Sequence, residues 1–298
     1  MIHDRIEKVV MVLSLLGFDG FVTIDRAEPE FTTLKEFYDH YNDLRSLLVI
    51  GLGAAIVDYQ LGVGGAYAFW NCLKDILKKH NFTIGSLDEA YSVLLEFMSC
   101  KVNARLRNTK IRRIHRLFDS GFVKYLWNEA YKYFDIEPMK IWRKLALCMG
   151  SDMSSKTISF TMKILDLISL IVNGYYAYFP VDLPIPVDEH IARMSVYSGI
   201  LMLNPRPKTP TEIGSAALRF RNLIVRGWSE VARGVSSIIS KRISIFRIDS
   251  LIWQLSKAAS SVGYARHRAV EAMKKRLVEI GINEDVALKI ASELAHEM

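Results

Sequence analysis

Apolar positions along the chain recur every three or four residues rather than every two. Ile6, Val9, Val10, Leu13 and Leu16 set the rhythm at the start, falling on one face of a helix. The same spacing holds between successive turn signals down to the C-terminus, so the pattern predicts a mainly or wholly α protein. Breaks fall at Gly17 to Gly20, at Gly62 to Gly65, and at His80 to Ser86, where Ser86 and Glu89 have the spacing of a capping box. An apolar run from Ser46 to Val57, bounded by Arg45 and Asp58, is shorter than the roughly 20 residues that cross a bilayer, and it reads as a buried core helix. The segment Asn204 to Thr211, with Pro205, Pro207 and Pro210, reads as a loop between helices. Leu277 to Leu294 contains two apolar helical stretches around Gly281-Ile282-Asn283, as expected of a helical hairpin packed on the body.

Composition narrows this picture. With 298 residues, half of them hydrophobic, the chain can bury one large core or two lobes that share a cleft. Its 39 lysines and arginines against 32 acids leave a net charge of +7, which favours an anionic partner such as nucleic acid. Seven basic residues and no acid lie between Lys101 and Arg116, among them Lys110, Arg112 and Arg113. Such a run suits phosphate neutralisation, and it equally suits a solvated helix face balanced by acids elsewhere. Cys72, Cys100 and Cys148 are odd in number and far apart, which predicts reduced, mostly buried thiols. With no Cys-x-x-Cys pair and only scattered histidines, no metal site and no cofactor are expected. Asp4 and Glu7 interrupt the N-terminal stretch, so no leader and a cytoplasmic location are expected. Only two glutamines, Gln60 and Gln254, occur, a composition that hints at a thermophilic source.

Candidate chemistry concentrates between Cys148 and Gly199. Ser154-Ser155-Lys156-Thr157 opens a helical run, and Leu183-Pro184-Ile185-Pro186-Val187-Asp188 precedes a second helix. A lysine in a first helical turn sits near the positive end of the helix dipole, which eases loss of its proton. Asp188 is placed as an N-cap, where the same field favours its ionised form. An amine that can be freed and a carboxylate that stays charged are what attack at a sugar C1′ requires. The spacing alone also fits a structural lysine and an ordinary capping aspartate. Asp182 repeats the Pro-Val-Asp tripeptide six residues earlier, but no helical pattern follows it, so it is read as a loop residue.

The stretch from Lys156 to Leu165, Lys-Thr-Ile-Ser-Phe-Thr-Met-Lys-Ile-Leu, and the Pro-Ile-Pro-Val-Asp ending at Asp188 resemble the helix-hairpin-helix DNA glycosylases. They are most similar to the archaeal AGOG branch, with its Lys-Thr-x-x-Phe-Thr-x-Lys-Ile-Leu and Ile-Pro-Ile-Pro-Val-Asp patterns. Asp249-Ser-Leu-Ile-Trp253 and Tyr59 through Trp70 extend the resemblance, which runs to about residue 265; between Gly199 and Ser244 it is poor. The resemblance implies an all-α, two-lobed fold with a cleft between the lobes, the central lobe near 86–200 and the other formed by 1–85 and 201–298. It implies a monomeric glycosylase and lyase that removes 8-oxoguanine from duplex or single-stranded DNA, with Lys156 as Schiff-base nucleophile and Asp188 as its carboxylate.

A base pocket of Trp70, Phe160, Lys163, Pro186, Asp249 and Trp253 is implied as well, and a phosphate grip by the hairpin residues Gly150, Ser154 and Ser155 with the basic run. Lys156, Phe160 and Lys163, at i, i+4 and i+7, do share one helix face. A flipped purine needs such flat surfaces and a few polar readers. Glu30 stands where the family has a base-reading glutamine; a carboxylate there accepts from both N1–H and the exocyclic amine of guanine. Before Lys156 only Gly150 is present where a Gly-x-Gly is usual. The alternatives are a related glycosylase for another base, such as a mismatched pyrimidine or an alkylated purine, and a helical DNA-binding module without activity.

Overall fold

The computed structural model describes residues 2–298, with side chains from Asp4 onward. Among these residues the chain forms sixteen α-helices and three short 3-10 turns, and no strand. The all-α expectation is met. Contacts group the helices into two units, Met1–Ala27 with Pro180–Met298, and Glu28–Phe179.

The first unit begins with α1 (Ile2–Ser14) and α2 (Gly17–Arg26). The break expected from Gly17 to Gly20 is narrower than that, because only Gly17 takes a left-handed φ of +60° and Gly20 continues α2.

Residues 28–179 form α3 (Pro29–Tyr41), α4 (Leu44–Ala55), α5 (Gly65–Lys79), α6 (Leu87–Phe97), α7 (Arg107–Asp119), α8 (Phe122–Asn128), α9 (Pro138–Met149) and α10 (Lys156–Asn173). Its centre is the pair α4 and α10. Every residue from 46 to 57 is buried, as the apolar run requires, and so is every residue from 158 to 171 except Phe160. A helix that is apolar around its whole circumference needs neighbours on all sides, and α3, α4 and α9 supply them to α10. At Gly51 a Cβ would lie 2.9 Å from Ile168 Cδ1, so glycine permits the close approach of the two central helices. Ser86 caps α6 by accepting from Glu89 N at 3.2 Å, but the Glu89 carboxylate accepts from Gly85 N, so the box closes one residue early.

The cysteine expectation is corrected here. Cys72 in α5 and Cys100, ahead of the Lys101–Asn103 turn, form a disulfide with a Cα–Cα distance of 6.6 Å, and Cys148 alone is a free thiol. Separation along the chain hid the pairing, which depends on α5 packing against that turn. Closing a loop of 28 residues stabilises a fold by about 3–4 kcal/mol in the chain-entropy account. A phosphine reductant should therefore lower the thermal midpoint by several degrees, and Cys72→Ser should reproduce the drop and abolish the response to reductant. Equal midpoints with and without reductant would count against the bridge.

The first unit resumes with α11 (Glu189–Tyr197), α12 (Pro210–Ala217), α13 (Arg221–Ile239), α14 (Ile245–Ser261), α15 (Arg266–Glu279) and α16 (Glu284–Leu294). The proline-rich loop ends where Thr209 caps α12 in a full capping box with Glu212. Helix α14 is central, touching α2, α11, α13 and α15, and the hairpin α15–α16 packs on α14 and α1 as expected. A buried ion pair, Arg247 to Asp25 at 2.6 Å, ties α14 to α2.

The unit boundaries at 27/28 and 179/180 differ from the lobes expected near 86 and 200. Helices α3 and α4 belong with α10 because they cover its faces, whereas α11 packs on α14. No helix among the described residues is long and apolar enough to cross a membrane.

Candidate active site

Helices α9 and α10 form the hairpin that presents Lys156. Helix α9 ends at Gly150 with φ +58°, a left-handed cap that glycine adopts without strain. A side chain there would also collide with Arg116, whose guanidinium lies 2.5 Å from the Cβ position and donates to Cys148 O at 2.8 Å. Trp142 Nε1 donates to Met153 O at 3.0 Å and closes the turn. Ser155 is the extended N-cap residue, and Lys156 is the first residue of α10. That start agrees with the sequence reading. The first-turn N–H groups of α10 lack helical acceptors, so a positive potential surrounds the lysine.

Behind Lys156, within residues 28–179, lies a cluster of buried charges. Lys163 Nζ donates to Glu28 Oε1 at 2.9 Å, stands 3.9 Å from Glu30 Oε1, and lies 5.7 Å from the centre of the Phe160 ring. Trp70 is fully buried and donates from Nε1 to Asp58 Oδ2 at 3.0 Å. Burial pushes the Asp58 carboxyl up to about 6, against the opposing pull of Lys156, the Trp70 hydrogen bond, Lys110 and Lys163. Burial likewise pushes Glu30 up to about 7; Lys163 opposes the rise and the charge of Asp58 adds to it.

The folded protein thus holds the Glu30 proton more tightly than the unfolded chain does. Stability is then lost as pH rises from the ordinary carboxylate range toward 7. Glu30→Gln removes that ionisation. The variant should gain thermal midpoint relative to the parent between about pH 5 and about pH 8, and a gap independent of pH would refute the assignment.

In the other unit, Asp188 caps α11 as anticipated, its Oδ1 accepting from His190 N at 2.9 Å and Ile191 N at 3.1 Å. Pro186 is buried just before it. His190 Nδ1 meets Ser256 Oγ at 3.1 Å, linking α11 to α14, which carries the buried Asp249 and the half-buried Trp253. Lys257 lies 5.6 Å from the Trp253 ring centre. Asp182 is an exposed loop residue 3.5 Å from Arg233, in keeping with its exclusion.

The candidate residues therefore fall into two groups. Glu30, Trp70, Lys156, Phe160 and Lys163 lie in residues 28–179; Pro186, Asp188, Asp249 and Trp253 lie in the other unit. The basic run divides differently from expectation. Lys110 is fully buried, donates to Asn103 Oδ1 at 2.9 Å, and is lowered by burial to about 8, so it is an interior residue rather than a phosphate ligand. Arg113 is committed to Ile56 O at 3.1 Å and Thr157 Oγ1 at 2.9 Å. Arg112 is exposed, as is Ser154, while Ser155 is half-buried. Lys110 shares a face of α7 with the buried Ile114 and Leu117, a spacing the sequence carried, and its burial is completed by Phe69 of α5 and the turn holding Asn103.

Two carboxylates of the cluster, Glu28 and Asp58, were not singled out from sequence. Asp58 had one signal available, as the first charge after the apolar run from Ser46 to Val57.

The family model for AGOG, described as N-glycosylase/DNA lyase, matches residues 10–289. The chain belongs to that family. AGOG relatives named N-glycosylase/DNA lyase include one from Methanococcus maripaludis, 25% identical over 84% of this chain and 88% of its own length. Another, from Pyrobaculum aerophilum, is 29% identical over 86% of this chain and 88% of its own. The crystal structure of Pa-AGOG, an 8-oxoguanine DNA glycosylase from Pyrobaculum aerophilum complexed with 8-oxoguanosine, superposes with a TM-score of 0.68. That superposition covers 93% of this chain and 96% of the other at 18% identity. The AGOG fold is therefore that of this chain.

Proposed function

We propose that this member of the AGOG family excises 8-oxoguanine from DNA and then nicks the strand, with Lys156 as nucleophile and Asp188 as the carboxylate that stabilises positive charge on the sugar. The observation that carries this reading is Lys156 at the first position of α10, behind a tight hairpin and in front of a buried charged cluster. The helix terminus favours the free amine of a lysine so placed when it is called on to attack.

The amine lone pair forms a bond to C1′ as the glycosidic bond breaks and the base leaves with its electron pair. Of the amine's two protons, one passes to the departing base and the other to the ring oxygen as the sugar opens, which leaves an imine. Removal of a C2′ proton then expels the 3′ phosphate. Asp188 suits its role because two backbone N–H groups and the α11 terminus keep it ionised.

Trp70, Phe160, Lys163, Pro186, Asp249 and Trp253 are assigned to the base pocket, and Arg112, Gly150, Ser154 and Ser155 to the DNA backbone. Glu30 fits a pocket that elsewhere uses glutamine: with its carboxyl pushed up to about 7, the protonated form is present in quantity near neutral pH. A protonated carboxyl presents one donor and one acceptor, as an amide does. The enzyme is read as a monomer of the cytoplasm. Its disulfide and its scarcity of glutamine suit an intracellular protein from a hot environment.

The deciding experiment is borohydride trapping on a duplex with one 8-oxoguanine, followed by peptide mapping of the adduct. A covalent complex at Lys156, absent with undamaged guanine, is expected. No adduct on the lesion duplex, or an adduct on another residue, would overturn the reading.

A further inference from the structure

Asp58 is fixed by Trp70 in a segment that Arg113 ties to the start of α10. Residue Ile56 lies just beyond α4, Asp58 follows two positions later, and Thr157 follows Lys156. Arg113 of α7 donates through Nε to Ile56 O at 3.1 Å and through a terminal nitrogen to Thr157 Oγ1 at 2.9 Å. One guanidinium thereby fastens the end of α4 to the first turn of α10. From α5, the Trp70 indole fixes the Asp58 carboxylate at 3.0 Å.

The charges that bear on Asp58 come from three helices. Lys156 and Lys163 lie on α10, Lys110 on α7 and Glu30 on α3, and among the cations Lys156 acts most strongly. A fixed counter-charge facing a lysine at the positive end of a helix favours its ammonium form and restrains it. Asp58 supplies that counter-charge on a rigid mount.

We infer that Asp58 is a positioning residue for Lys156, its indole-anchored carboxylate holding the lysine ammonium in place and balancing its charge until the amine is used. The inference rests on the reading of Lys156 as nucleophile. It gives Trp70 a second task besides any contact with a base, since the indole orients the carboxylate that orients the lysine.

Imine trapping with cyanoborohydride on a duplex containing one abasic site, followed across pH, tests this. The trapping rate of the parent should rise with pH as the amine is freed, then level off. Asp58→Asn keeps an acceptor for Trp70 but removes the charge, so deprotonation of Lys156 becomes easier. The midpoint of the rise should move down by about one pH unit, and the plateau should fall about tenfold as the amine loses its support. Asp58→Glu, which keeps the charge, should return the midpoint to its parent value. If the asparagine protein does not fold, Asp58→Ser carries the same expectation.

An unmoved midpoint in the neutral variant would overturn the inference and reduce Asp58 to a structural partner of Trp70. Lys156→Gln separates the two claims. Trapping that survives this change overturns the nucleophile assignment itself, whereas trapping that is lost, together with an unmoved Asp58→Asn midpoint, overturns only the role of Asp58.

Discussion

Lys156→Gln should yield no trapped adduct and should slow base release from an 8-oxoguanine duplex by at least about 10³-fold, because the nucleophile is then absent and no other group can form the imine. Duplex affinity and thermal midpoint should stay near the parent values. Glutamine and lysine have similar helix propensities, and position 156 is a half-buried first-turn site rather than a core position. Single-turnover excision, gel-shift binding and a melting curve on one preparation separate these outcomes. A variant that melts normally, binds normally and still cleaves would remove Lys156 from the chemistry.

Asp188→Asn should lower the excision rate by about 10²–10³-fold with little change in stability. The contrast follows from the two roles of this side chain. As a cap, it needs only an oxygen that accepts from His190 N and Ile191 N, and asparagine caps a helix about as well as aspartate. As a stabiliser of sugar charge it needs the negative charge, which asparagine lacks. Asp188→Ala should lose both, with about 1 kcal/mol of stability lost beside the rate. Asp182→Asn, in the neighbouring Pro-Val-Asp, should change neither. An active Asp188→Asn enzyme would leave residue 188 as a cap and nothing more.

Features that depend on neighbours along the chain are legible in the sequence. The Asp188 cap was visible because capping is decided within three residues, and the Lys156 helix start because the serines and the apolar spacing mark it. The buried helix over Ser46 to Val57 and the C-terminal hairpin were visible for the same reason, since helical periodicity is a local property. The family motifs pointed to the AGOG glycosylases, and the family match over residues 10–289 agrees.

Features set by partners distant in sequence were not legible. Lys110 reads as one more cation in a basic run, yet the fold places it inside against Asn103. Cys72 and Cys100 read as unrelated thiols until α5 meets the turn before α7. Asp58 reads as the end of an apolar stretch, yet the fold buries it against Trp70, and Arg113 ties its segment to the first turn of α10.

By itself, then, the order of residues determined which segments are helices, where they start, and which family the chain belongs to. Only the tertiary structure decided which charges are buried together, and therefore which proton each of them holds. Helix formation depends on contacts a few residues apart, whereas desolvation and charge pairing depend on whatever the packed chain brings alongside, wherever it lies in the sequence.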